Sequence, residues 1–174
     1  MVKRSLGVSI AAVLAFLALI LLLGSDPAPG LSAPAGSAPP KRRASPAATI
    51  VVTSSLDSGP GSLRRALLAA EQGDTLTFEP AVFPPASAVT IYVTSGPLPG
   101  LDQEGLVLSG VGSGVVIDGS QLPGTDFVSG IEVVETVSVT VEGLTVTGFR
   151  GGGVVLAQST DSVVRDNVLR RNAF

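Results

Sequence analysis

The sequence predicts an all-β solenoid, a parallel β-helix, preceded by a hydrophobic helix and a spacer. Three observations carry this. Short runs of Val, Ile and Thr punctuated by Gly, Asn and Asp fill the chain from about residue 75 onward. The runs Thr90–Ser95, Gly114–Gly119 and Ser138–Gly143 recur at one constant spacing, position 90 to 114 to 138, and a fourth, Ser162–Leu169, follows. One amphipathic helical stretch, 62–72, stands where the strands begin. A coil of short strands cannot bury its apolar face alone. Stacked at about 4.8 Å, like residues cover like residues and close a continuous core. An antiparallel sandwich is the rival, but tight hairpin signals such as Asn-Gly are absent.

Taking the elements in order, Lys3 and Arg4 precede an apolar run, Leu6–Leu23, broken only by Gly7 and Ser9. A basic head and an apolar stretch have the form of an export signal, and the length of this run also reaches the lower limit of a membrane span. Residues 1–24 are therefore a signal peptide or an uncleaved signal anchor. The basic head stays inside and the rest is exported. Residues 25–48, rich in Pro and Ala and carrying Lys41-Arg42-Arg43, read as a semi-stiff linker. Membrane contact is expected through residues 6–23 alone.

The domain proper is 49–174. Strand Thr49–Thr53 comes first. Leu63, Ala66, Leu67 and Ala70 then form one helical face, with Ser62 suited to start the helix and Gly73 to stop it. Arg64, Arg65 and Glu71 fall on its outer face. A solenoid's first coil exposes its core and a free strand edge, so this helix, about 62–72, is expected to cap it. Strand Thr75–Phe78 follows, then the coils. The constant spacing places Ile91, Val115 and Val139 in one inward column and Val93, Ile117 and Val141 in another. For the last coil a spacing shorter by one is preferred. It sets Val164 under Val141, Leu169 under Val146 and Asn167 under Leu144, and it turns Arg165 outward beneath Glu142 rather than burying an unpaired guanidinium. Gly119, Gly143 and Gly148 suit corners needing positive φ.

The start of the domain carries a resemblance. Ile50–Thr53, then Asp57-Ser58-Gly59-Pro60-Gly61-Ser62-Leu63-Arg64-Arg65-Ala66-Leu67, then Gly73–Phe78, resembles the opening module of exported bacterial β-helix proteins, marked there by a Cys-Ser-Leu-Arg-Glu-Ala run. The chain matches at Ser62, Leu63, Arg64 and Ala66, and departs at Gly61 for Cys and Arg65 for Glu. Val139–Gly148 and Val164–Leu169 are similar to coils of right-handed parallel β-helices of the pectate-lyase-like superfold. The resemblance implies that fold over roughly 49–174, and a membership that spans surface proteins, adhesin-like proteins and polysaccharide-degrading enzymes. It also raises Ca²⁺, which lyases of this type hold with Asp or Glu beside an Arg or Lys base.

Composition removes several chemistries. There is no Cys and no His in 174 residues, hence no disulfide, no thiolate or imidazole metal site and no Ser-His-Asp triad. From 49 to 174 there are 13 acidic side chains against six arginines, a net of −7, which argues against nucleic acid as a partner. Asp118, Glu142 and Arg165 form one outward column on consecutive coils. Two carboxylates beside an Arg fall short of the converging oxygens Ca²⁺ requires, so the column reads as a surface charge ladder. Glu132 and Glu135 read as solvated strand-edge charge, Asp161 and Asp166 as turn formers, and Gly151–Gly153 as a loose turn. No catalytic, cofactor-binding or metal residue is expected.

The chain stops at Arg170–Phe174 without a closing helix, which reads as a truncated solenoid, or else as an open end that self-associates. The functional expectation is an exported, cell-surface or secreted β-helix module, non-catalytic, with an adhesin-like or scaffold role toward an extracellular polysaccharide or cell-envelope component. The alternative is the N-terminal part of a polysaccharide lyase or glycoside hydrolase.

Overall fold

The computed structural model describes residues 46–124 and 126–173. The apolar segment 6–23 and most of the linker lie outside these residues. Among the described residues, no helix is long and apolar enough to cross a membrane.

Among the described residues, eleven strands and one helix form a parallel β-solenoid of about five turns. The strands are β1 (Thr49–Val52), β2 (Thr75–Phe78), β3 (Val89–Tyr92), β4 (Val107–Ser109), β5 (Val115–Asp118), β6 (Ile131–Val134), β7 (Thr140–Glu142), β8 (Thr145–Thr147), β9 (Val154–Ala157), β10 (Val163–Arg165) and β11 (Val168–Arg170). They stack into three sheets, ordered β1-β2-β4-β7-β10, β3-β5-β8-β11 and β6-β9, and every pairing is parallel. Side chains alternate in and out, so each strand sends one or two apolar residues inward. Leu76, Leu108 and Val141 form one inward column. Ile91, Ile117 and Val146 form a second, and Leu101 and Val133 meet at the third wall. All eight are essentially inaccessible to water. Each such side chain contributes on the order of 1.5–3 kcal/mol of transfer free energy.

The last coil follows the shorter spacing. Val164 pairs with Val141, Leu169 with Val146 and Arg165 with Glu142. The earlier columns differ from the expected ones. Ile91 stacks on Ile117, not on Val115, while Val141 belongs to the other sheet and Val139 lies just before its strand. The cause is loop length. On the five-stranded sheet Thr49 pairs with Thr75, Thr75 with Val107, Val107 with Thr140, and Thr140 with Val163. No two of these steps are equal. The steps into Val107 and Thr140 are the long ones, and the step into Val163 is the shortest.

The helix α1 (Leu63–Ala69) is shorter than 62–72. Ser62 caps it as expected, its Oγ accepting from the Arg65 amide at 3.3 Å and donating to Gly59 O at 2.8 Å. Leu63, Ala66 and Leu67 are buried, and the helix packs on β1. Asp74 ends it. One carboxylate oxygen accepts the Glu71 amide (2.9 Å) and the other the Ala48 amide (2.8 Å), so the chain turns into β2 instead of adding a helical turn.

Corners repeat as the strands do. In the last two coils the left-handed positions are Glu135, Ser138, Gly143 and Gly148, then Gln158, Asp161, Asp166 and Arg171. Gly143 and Gly148 have the positive φ foreseen for them. Gly119 is required for another reason: a Cβ there would run into the Phe149 ring.

Two asparagines replace apolar residues in the last coil. Asn167, beneath Leu144, accepts the Leu144 amide (2.9 Å) and donates to Val141 O (2.8 Å). Asn172, beneath Phe149, accepts the Phe149 amide and donates to Val146 O, both at 3.1 Å. Each side chain thus satisfies two main-chain groups of the preceding turn. Asn167→Ala leaves both without partners and is expected to cost about 2 kcal/mol. Equilibrium unfolding, with faster hydrogen exchange at the Leu144 amide, checks this.

Candidate functional site

The described surface carries an open trough of about 500 Å³ at the corner where β6 and β9 lead into β7 and β10. Its walls follow from the stacking. The Val137–Thr160 bridge and the bonds Gly105 N to Val137 O (3.0 Å) and Ser138 N to Thr160 O (3.0 Å) hold three successive turns in register. The lining comes from three successive turns: Asp102 and Glu104 from one, Glu135, Thr136 and Val137 from the next, Gln158 and Thr160 from the last. Glu135 and Gln158 are held at φ 47° and 52°, conformations that cost a residue with a Cβ about 1 kcal/mol or more. The Gln72 amide donates to Glu104, and the Gln103 amide to Asp102.

Three residues of this corner, Gln103, Thr136 and Ser159, carry an anomaly. Gln103 Oε1, Thr136 Oγ1 and Ser159 Oγ are buried without a hydrogen-bond partner among the described residues. Buried polar atoms are nearly always paired, so three on one corner call for an explanation. Sequence reasoning took Glu135 as solvated edge charge and did not single out Asp102 or Glu104. No local pattern joins residues that lie a whole turn apart through loops of unequal length.

The residues of the expected charge ladder divide between two sheets. Glu142 and Arg165 meet at 2.6 Å on the five-stranded sheet, and Ser109 completes their row, its hydroxyl donating to Glu142 Oε1 at 2.9 Å. The Ser109 hydroxyl lowers the Glu142 carboxyl below its ordinary range; burial opposes this and Arg165 adds to it. Asp118 lies on the four-stranded sheet beside Thr147, with Oδ1 accepting the Ser120 amide at 2.7 Å. The inward residue of each strand looks alike on both sheets, which is why a fixed period merged them. Among the described residues, no three acidic side chains converge as metal ligands would. Asp161 and Asp166 sit at left-handed corners, as turn formers do. Glu132 is exposed on β6. Gly151–Gly153 is packed rather than loose. All three are buried, and Gly152 O and Gly153 O accept the Gly130 and Ile131 amides.

Arg64, assigned by periodicity to the outer face of α1, is instead clasped. Its Nη2 lies 2.8 Å from Asp57 Oδ1 and 2.8 Å from Gly96 O, and Nη1 donates to Pro97 O. Asp57 Oδ2 accepts the amides of Ser95 (2.8 Å) and Thr94 (3.1 Å) and both their hydroxyls. Burial alone would raise the Asp57 carboxyl. The Ser95 hydroxyl, the Arg64 guanidinium and the two amides outweigh it and hold the carboxyl far below the usual range. The clasp joins the loop before α1, the helix and the loop after β3.

A carboxyl whose pKa is lower folded than unfolded stabilises the fold above its unfolded value, and that contribution is lost as pH falls below it. Asp57→Ala is expected to cost about 3 kcal/mol at neutral pH, since it takes the carboxylate from Arg64 and leaves the Thr94 and Ser95 amides without that acceptor. The wild type should lose part of its stability below about pH 4, and the variant should lose less. Urea midpoints from pH 7 to pH 3 measure both.

Among the described residues, charged side chains from different parts of the chain come together at the trough, at the clasp and at the Glu142–Arg165 pair. No family model matches the chain, and no curated protein matches it either.

Proposed function

We propose that this chain is an exported β-solenoid module, at the cell surface or secreted, that binds a ligand without transforming it. The observation that carries the reading is the trough, where one corner repeats over three turns and lines up acidic and polar side chains facing solvent. The basic head and the apolar run 6–23 support export, and the Pro/Ala-rich linker 25–48 supports display away from the membrane. In this reading the solenoid winds right-handed, as in pectate-lyase-like proteins, and α1 shields its first turn as the opening module of exported β-helix proteins would. The partner is a cell-envelope component or an extracellular polymer, and nucleic acid is disfavoured by the acidic surface.

The alternative, a polysaccharide lyase or hydrolase, draws on the Glu142–Arg165 pair as a carboxylate beside a cationic base. The two readings separate in one assay. The chain is incubated with pectin, alginate and related polymers with Ca²⁺, and unsaturated or reducing ends are followed. No release above background is expected. Release that Arg165→Ala abolishes overturns the non-catalytic reading. Export is checked by fractionating cells that express the full chain, which should partition with the envelope or the medium.

A further inference from the structure

We propose that the Arg43–Ala44 bond is a release site, where a trypsin-like endopeptidase outside the cell frees the solenoid from the apolar run 6–23. This deepens the exported-module reading and rests on it.

The sequence isolates the site. Lys and Arg total eleven, and three of them stand together at Lys41-Arg42-Arg43, just ahead of the described residues. No other basic residue lies between Arg4 and Arg64. Basic residues that orient an apolar segment stay on the inner side, and Lys3 and Arg4 fill that role. A cluster on the exported side adds nothing to orientation. It does match a protease whose primary pocket carries a carboxylate and accepts Arg or Lys before the bond to be cut. Ala44 and Ser45 follow, small residues that fit beyond that bond. Pro39-Pro40 ahead and Pro46 behind withhold main-chain N–H groups, so neighbouring bonds are poorer substrates.

The structure sets the bond just outside the folded unit. Among the described residues, the chain is first fastened to the solenoid at Ala48. Its amide donates to Asp74 Oδ1 and its carbonyl accepts the Thr75 amide, both at 2.8 Å. Pairing of β1 with β2 begins at the next residue, Thr49. A cut after Arg43 severs none of these bonds. The arginines of the domain are withheld by contrast. Arg64 is clasped, Arg65 is helical, and Arg150 donates to three carbonyls. Arg165 and Arg170 lie in strands paired to the preceding turn, and Arg171 is held at φ 55°. A protease takes its substrate extended and unpaired, so cleavage at these positions requires a turn to open first.

Charge explains the placement. Residues 1–43 carry five basic side chains and one acid, Asp26, a net of +4, while the acidic domain follows the cut. The apolar run and the basic cluster are both drawn to an anionic bilayer, and they stay together on one side of the cut. The released piece is acidic and is repelled from such a surface. The reaction is hydrolysis. The Arg43–Ala44 C–N bond breaks, water gives its hydroxyl to the Arg43 carbonyl carbon and a proton to the Ala44 nitrogen, and a carboxylate and an amine result.

The test treats intact cells that express the full chain, and their medium, with trace trypsin. The N-terminus of the soluble product is read by mass spectrometry. A folded species beginning at Ala44 is expected to be the first product. Arg42→Pro with Ala44→Pro keeps two of the three charges but sets Pro after both remaining basic residues. This pair, and separately the triple change Lys41→Gln, Arg42→Gln and Arg43→Gln, should slow release by at least about 100-fold. Ser37→Ala, in the same linker, should leave it unchanged. All these positions precede Ala48, and thermal unfolding of each product checks that the solenoid is intact. Blocked variants released at the wild-type rate, or a first cut at any arginine from Arg64 to Arg171, overturns the inference. An exported chain that trypsin leaves uncut overturns it alone. A chain kept in the cytoplasm, beyond the reach of trypsin, overturns the export reading and this inference with it.

Discussion

Everything in this fold depends on the hydrogen-bonded register between successive turns. Parallel strands one turn apart exchange main-chain bonds, and this forces like positions to lie above like. Leu76, Leu108 and Val141 form a column because Thr75, Val107 and Thr140 are in register, not because they are near in sequence. The same constraint places Glu142 over Arg165 and brings residues of three successive turns to the trough. Core, charge pair and trough are three outcomes of one stacking rule, differing only in which way the side chains point.

Loops of different lengths put that register at risk, and side chains secure it. The Asp57–Arg64 clasp ties the loop before α1 to the loop after β3, and Asp74 ties Ala48 to the helix end. Arg150 does the same for a long excursion, donating to Leu122 O, Pro123 O and Asp126 O. Charge within these turns is thus committed to holding loops. The trough is different, because its carboxylates have gathered neutral donors and no cation.

How far the sequence could be read follows from the same physics. Where all three sheets advance by the same step, as into the last coil (Thr140 to Val163, Thr145 to Val168, Ile131 to Val154), single residues were legible: Val164 under Val141, Asn167 under Leu144, Arg165 beneath Glu142. The cost of burying an unpaired guanidinium decided that register. In the earlier turns, whose steps run from Thr49 to Thr75 to Val107 to Thr140, a fixed period crossed from one sheet to another and carried Asp118 into a row it does not share. Ser62 acts through neighbours in sequence, and its cap was legible, whereas Asp74 also reaches back to Ala48. The Asp57 clasp and the trough join residues distant in the chain through loops with no periodic pattern, so no local signal reports them.

Asn167 and Asn172 have a further consequence. Every hydrogen bond they make runs to the turn before and is satisfied by one side chain reaching back. A coil carrying such asparagines brings its own fastening. It needs from its neighbour only a free carbonyl and amide at each of two corners, which any turn of the same length presents. Such a unit is a cassette, whose fastening to the turn before it travels with its own two asparagines.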